Sequence, residues 1–315
     1  MSLIEQAAKR LEQLRQAGVE LPDDKPAPEV PAQKTAEPAT RQTASGSAAP
    51  VPRPIETTSP PTTAQSKTKR VTLDLDAMAA SGLLVPSQSR NLLANEFRVI
   101  KRPLIANAMG KGSTPIPNGN LIMVTSALPG EGKSFTAVNL AISIAMELDN
   151  TVMLVDADVA RPSILNMVGL TPAEGLLDVV KENSLDISRV LLHTNIEKLS
   201  ILPSGTPHPR ATELLASDAM IRLLDDMAKR YPDRIIVFDS PPLILTTEAR
   251  ALATHMGQIV VVVQSGETTQ AAVKEAVSTI ESCPIKMMVL NQATQSASDR
   301  YGYGYAYGYG HGNEK

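Results

Sequence analysis

From Asn120 to Leu290 the chain alternates between short apolar runs and longer amphipathic stretches. The runs are Leu121–Val124, Val152–Val155, Lys198–Leu202, Ile235–Phe238, Ile259–Val263 and Met287–Leu290. Helical patterns sit between most of them, at Phe135–Leu148, Glu213–Arg230 and Thr269–Glu281. Strands that are apolar at nearly every position, with helices between them, predict an α/β fold. Its core is a doubly wound, mostly parallel sheet with helices on both faces. Ligands of such a sheet bind outside the carboxyl ends of the strands.

The flanks read differently. Residues 1–20 contain one amphipathic helix, Ser2–Ala17, with Ile4, Ala8, Leu11 and Leu14 near one face. Ser2 and Glu5 have the spacing of a capping box, and Gly18 suits a stop. A helix of this length is marginal alone, so it either frays or docks on the body, a partner or a membrane surface. Residues 21–70 hold ten of the 24 prolines, from Pro22 to Pro61, among Ala, Thr, Ser and Gln. This composition predicts a disordered, semi-flexible spacer. Order resumes near Val71 with the apolar patch Leu73, Leu75 and Met78, followed by a helix over Asn91–Ala108. Residues 71–296 are thus the folded domain, opened by a helical segment over 71–110. Residues 297–315 hold Tyr301, Tyr303, Tyr305, Tyr307 and Tyr309, which alternate with Gly or Ala. With no aliphatic face to bury, they predict a disordered tail.

Composition narrows the chemistry. A formal net charge of −3 gives no basic field for nucleic acid. The single Cys283 cannot form an internal disulfide, and four scattered His residues give no support to a zinc site. With no Trp and only three Phe, the core must be aliphatic. Met1–Arg10 lacks an apolar signal region, and no apolar run approaches the ~20 residues of a membrane span. The expectation is a soluble chain, or one peripheral to a membrane.

Three motifs fall at predicted strand ends. The first is Ala127-Leu128-Pro129-Gly130-Glu131-Gly132-Lys133-Ser134, between the first strand and the helix that Phe135 opens. Strand, glycine-rich turn, Gly-Lys-Ser and helix make a P-loop, with Ala127 in place of its first glycine. Its backbone amides and helix start suit phosphate, Lys133 would bridge the β- and γ-phosphates of ATP, and the Ser134 hydroxyl would sit on Mg²⁺. The second is Leu154-Val155-Asp156-Ala157-Asp158 with Arg161-Pro162. Buried carboxylates are paired or bind metal, although Asp158 alone equally suits the N-cap of a helix begun at Pro162. The third is Ile235-Ile236-Val237-Phe238-Asp239-Ser240-Pro241-Pro242. An apolar strand ending in Asp, behind a P-loop, is a Walker B pattern whose carboxylate holds Mg²⁺.

Together these motifs resemble the bacterial tyrosine kinases, the P-loop kinases of capsule and exopolysaccharide synthesis. The resemblance runs from about Leu73 to the C-terminus and includes Leu202-Pro203-Ser204-Gly205, Glu213-Leu214-Leu215 and the tyrosine tail. The opening Ser2-Leu3-Ile4-Glu5 looks most like the subgroup tied to exosortase-type systems. It implies an ATP- and Mg²⁺-dependent autokinase that modifies Tyr301, Tyr303, Tyr305, Tyr307 and Tyr309 and regulates polymer synthesis or export. It also implies a membrane co-polymerase of the chain-length-determinant type as activator, a homo-oligomer that is possibly a ring, and a cytoplasmic location peripheral to the inner membrane through that partner.

Site roles follow. Asp156 or Asp158 would accept the phenol proton, with the other on the Mg²⁺ side and Asp156 preferred as base; Arg161 either steadies transferred charge or pairs with Asp158. Asn291 either contacts adenine or caps the last strand. The family's E-x-x-R-x-x-R helix, which packs subunits, aligns with Asn95, Arg98 and Lys101, with Glu96 shifted by one. Arg210-Ala211-Thr212 stands where the family has Asn-Pro-x. A different reading is a membrane-associated positioning ATPase of the ParA/MinD kind without kinase activity. The signature lysine of those relatives would fall near Leu128, and five clustered tyrosines have no use there. A short tether after the last strand predicts transfer from one subunit's site to its neighbour's tail.

Overall fold

The computed structural model describes residues 69–293, apart from 113, 183–184 and 231–232. The helix expected within 1–20, nearly all of the 21–70 spacer and the 297–315 tail with its five tyrosines lie outside the described residues. Among the described residues the sheet has eight strands in the order β1-β4-β5-β3-β6-β2-β7-β8. They are β1 Lys69–Arg70, β2 Leu121–Ser126, β3 Thr151–Asp156, β4 Leu192–His193, β5 Leu199–Leu202, β6 Arg234–Asp239, β7 Gln258–Gln264 and β8 Ile285–Asn291. All neighbours are parallel except β4 and β5. β1 recruits the last two residues of the expected spacer, so order starts slightly before Val71.

Residue alternation divides the core. Ile122, Val124, Val152, Leu154, Val237 and Val260 face one layer. That layer contains helix α1 (Leu75–Ala80), α2 (Leu92–Ala108) and α3 (Lys133–Ala145). Met123, Met153, Val155, Ile236, Phe238 and Ile259 face the other. There α5 (Leu176–Lys181), α6 (Ala211–Leu215), α7 (Asp218–Arg230), α8 (Thr247–Ala253) and α9 (Gln270–Ser278) pack. The short α4 (Ile164–Met167) follows β3. The core is aliphatic, with Phe97 and Phe238 as the buried aromatics among the described residues.

Helix boundaries differ from expectation for local reasons. α3 begins at Lys133, two residues early, because the Gly132 carbonyl already accepts from Thr136 N at 2.9 Å. It stops before Leu148, which is solvent-exposed. The expected helix Glu213–Arg230 is two helices. Ser217 interrupts it, its Oγ donating to Leu214 O at 2.7 Å and accepting from Met220 N at 3.3 Å. Asn91 is the N-cap of α2 and accepts from Ala94 N at 2.7 Å.

The charged residues aligned with the subunit-packing motif are engaged within the chain. Lys101 is buried, donates to Ser143 O and pairs with Glu147 at 2.7 Å. The Arg98 guanidinium donates to Asn95 Oδ1 and to Ser89 O. Among the described residues no helix is long and apolar enough to cross a membrane.

Candidate active site

The three motifs meet at the carboxyl ends of β2, β3 and β6, the central strands of the sheet. After β2, Gly130 and Gly132 adopt φ of 89° and 91°, where a side chain would be strained. A Cβ on Gly132 would also run into the Asn291 amide. Their turn brings Lys133 and Ser134 to the head of α3, where free backbone amides and the helix dipole favour an anion. Lys133 Nζ is 2.7 Å from Asp158 Oδ2 and 3.5 Å from Ser134 Oγ.

β3 and β6 run side by side in a register that pairs Asp156 with Asp239. Both carboxylates are buried, at 1% and 0% exposure. Asp156 Oδ2 accepts from Ser163 N and Ile164 N, each at 3.1 Å, while its Oδ1 has no partner. Both oxygens of Asp239 lack a hydrogen-bond partner; the Ser134 hydroxyl approaches closely enough to lower its pKa without closing a bond. Burial, then the charges of Asp239 and Asp158, push Asp156 up to about 7 against the pull of the two amides. Burial likewise pushes Asp239 up to about 6, although Lys133 and Ser134 oppose it. Buried native polar atoms are almost always partnered, so three orphan carboxylate oxygens mark a place shaped for a cation.

A cleft of about 560 Å³ opens above them, bordered by Gly130, Gly132, Lys133, Ser134, Asp158 and Arg161. Pro129 and Phe135 also line it. Arg161 is exposed; its backbone N, not its guanidinium, meets Asp158, donating to Oδ1 at 3.1 Å. Of the two expectations for Arg161, pairing with Asp158 is therefore not seen among the described residues. Nor does Asp158 cap a helix begun at Pro162. α4 starts at Ile164, and the carboxylate that holds its first amides is that of Asp156.

Glu131 and Asn291 occupy a different position from the cleft residues. The Glu131 carboxylate is 2% exposed and accepts from Leu128 N at 2.6 Å and from Thr268 Oγ1. Its side chain braces the loop from behind, and the residue is not part of the cleft lining. Asn291, the last residue of β8, donates from Nδ2 to Glu131 O at 2.9 Å. It therefore ties the strand end to the loop.

Comparison with known proteins agrees with this geometry. The family model described as ParA, NUBPL iron-transfer P-loop NTPase, matches residues 118–292. The tyrosine-protein kinase YwqD of Bacillus subtilis is 32% identical over 183 residues, covering 58% of this chain and 76% of its own length. The chain belongs to the bacterial tyrosine-protein kinase family, within the ParA-like P-loop NTPases. Some curated members are longer: the tyrosine-protein kinase etk of Escherichia coli is 31% identical over 62% of this chain but only 27% of its own length. The solved kinase domain of the Escherichia coli enzyme matches with a TM-score of 0.56 and 26% identity, covering 69% of this chain and 80% of that domain. The chimerical protein CapA2B2 matches with a TM-score of 0.58 and 26% identity, covering 72% and 94%.

In this kinase the residues missed by sequence reasoning are contributors at a distance. Thr268 reaches Glu131 across 137 positions, and no local pattern announces it. Ser163, Met167 and Leu245 line the cleft from loops and a four-residue helix whose periodicity is too short to read.

Proposed function

We propose that the chain is an ATP-dependent protein-tyrosine autokinase whose acceptors are Tyr301, Tyr303, Tyr305, Tyr307 and Tyr309. The observation that carries this is the pair of buried, incompletely bonded carboxylates Asp156 and Asp239 beneath Lys133. The described residues contain no group of three His, Cys, Asp or Glu able to cage a metal. Mg²⁺ needs no cage, since it binds through one or two carboxylates and completes its shell with water and phosphate oxygens. The orphan oxygens of Asp156 and Asp239, with the Ser134 hydroxyl, fit it. Bound there, Mg²⁺ would neutralise charge on the phosphates.

The remaining roles rest on this chain's side chains. Loop amides at Gly130 and Gly132 and the head of α3 hold phosphate oxygens. Lys133, released from Asp158 as the nucleotide enters, stabilises charge on the transferred group. A phenol has an unperturbed pKa of about 10 and needs a base. Asp158 lines the cleft, where a phenol can reach the oxygen that Lys133 gives up, whereas Asp156 is not part of the lining; this access supports Asp158 as the base in place of Asp156. The phenolic oxygen bonds to the γ-phosphorus and its proton passes to Asp158. The bond from that phosphorus to the β-phosphate oxygen breaks, and its electron pair leaves with ADP. Arg161, exposed at the rim, suits the charge in transit.

The wider role is regulation of exopolysaccharide polymerisation or export, with a chain-length-determinant type co-polymerase in the membrane as activator. Exposed Leu92 and Val99 on α2, with Met288 and Leu290 on the edge strand β8, support an oligomer. Transfer between subunits does not follow from tether length. Asn291 touches the phosphate loop, and the ten residues to Tyr301 reach about 35 Å when extended. Tether length therefore permits either route, and mixing an inactive chain that keeps its tyrosines with an active chain that lacks them separates the two.

Incubation of the full chain with ATP and Mg²⁺, followed by phosphotyrosine mapping, tests the reading. Phosphate should appear within Tyr301–Tyr309 and vanish in Lys133→Met; phosphorylation retained in that variant sinks it. The match of residues 118–292 to the ParA model favours a second reading, a positioning ATPase. That reading expects ATP hydrolysis with no phosphotyrosine.

A further inference from the structure

The cleft beside Lys133 is lined by two sets of residues of different chemistry. One offers loop amides, Lys133 and Ser134. The other offers Met167, Pro241, Pro242 and Leu245. The phosphates of ATP have no apolar surface to set against the second set, and Asn291, the residue expected at adenine, lines a separate cavity with Met288 and Leu290. Leu245 is 63% exposed, yet its loop is pinned. Leu243 N donates to Ser126 O at 2.8 Å, and Thr246 Oγ1 donates to Pro242 O at 2.7 Å. The Arg250 guanidinium donates to Leu243 O and Ile244 O, each at 2.9 Å. A rigid loop thus holds a leucine out into water at the edge of a reactive site. Ser163, whose buried Oγ has no partner, also lines the cleft. A flat apolar body with one hydroxyl matches this combination.

We propose that Leu245, Pro242 and Met167 form a shelf for the aromatic ring of the acceptor, occupied by the chain's own Tyr301–Tyr309 segment. The proposal rests on the kinase reading and names the residues that select tyrosine. A serine or threonine acceptor would leave Leu245 in water, so the shelf discriminates by burial. Two features of the chain commit the occupant. The segment starts eight residues past Ala293, where the described chain leaves the loop-bound end of β8. Its Gly and Ala spacers give no side chain larger than a methyl between rings, so any one ring can lie on the shelf unobstructed.

The test uses the full chain with its five tail tyrosines changed to serine and a free nonapeptide of the Tyr301–Tyr309 sequence. Peptide binding is read by fluorescence anisotropy with Mg²⁺ and ADP, and transfer by steady-state kinetics with ATP. Leu245→Ser should weaken peptide binding and raise its KM, each about tenfold, the scale of losing one buried leucine contact. ATP affinity, kcat at saturating peptide and Tm should hold, and Leu245→Met should restore the KM. Phosphotyrosine formed with a KM indifferent to Leu245→Ser would overturn the shelf and leave the kinase reading standing. Peptide binding that depends on Leu245 without any phosphotyrosine would overturn the kinase reading and keep the shelf as a binding site.

Discussion

A buried charge sits at each end of helix α3, and the two are handled on opposite principles. At its C-terminal end Lys101 meets Glu147 and the Ser143 carbonyl, and the group closes on itself. At its N-terminal end Lys133 finds Asp158, but Asp156 and Asp239 keep three oxygens without partners. A buried charge that the chain satisfies serves the fold. One that the chain leaves open costs stability, and persists where a ligand completes it. The contrast separates site from scaffold without reference to motif.

Breaking the open cluster should affect chemistry most. Asp239→Asn should lower phosphoryl transfer by about 10²–10³-fold, the usual scale for losing one electrostatic element of an active site. The same variant should raise the Tm of the nucleotide-free protein, because a desolvated charge is gone. A fall in Tm would show that Asp239 is partnered in solution. Breaking the closed cluster should do the reverse. Lys101→Met should cost about 2 kcal/mol in urea unfolding, since it strips Ser143 O and the half-exposed Glu147 of their cation. ATP affinity should be unchanged.

Proton linkage sharpens the comparison at smaller amplitude. Asp156 and Asp239 rise from 3.8 to about 7 and about 6 in the native state. The folded chain therefore holds protons that the unfolded chain has released, so their contribution is largest at low pH and is lost as pH rises through those values. Unfolding free energy of the nucleotide-free protein should drop by about 1–2 kcal/mol between about pH 6 and pH 8. Saturating Mg²⁺ and ATP analogue should flatten the slope, and Asp156→Asn should remove most of it. The smallest effect concerns the loop brace. Asn291→Ala removes one neutral hydrogen bond to Glu131 O, so ATP affinity should fall by roughly three- to tenfold. A loss a hundredfold or greater would mean that Asn291 contacts the nucleotide itself.

Central strands and their terminal carboxylates were legible because both signals are local. Four or five apolar residues ending in Asp156 or Asp239 state a buried strand and a polar end in one stretch. The helix break at Ser217 was not legible, because a capping hydroxyl inside an amphipathic pattern leaves the periodicity intact. β4 was missed because two residues carry no period, and its antiparallel pairing with β5 is decided by tertiary contact. Within the site, the glycines and Lys133 announced the phosphate loop. The inward turn of Glu131 did not show, since its partner Thr268 comes from the segment after β7. Asn291 was placed at the right strand end, while its bond to the loop depends on a close approach that only Gly132 hints at.

The fastening of β8 to the phosphate loop also makes the molecule a ready optical sensor. Asn291 holds the Glu131 carbonyl and Gln292 reaches the Gly130 carbonyl, so Ala293 is mounted one residue from that contact. The native thiol, Cys283, is buried at 2% exposure, so a dye would label an Ala293→Cys chain at that one accessible position. Its emission should report loop rearrangement as nucleotide enters, upstream of the tyrosines and independent of whether they are modified.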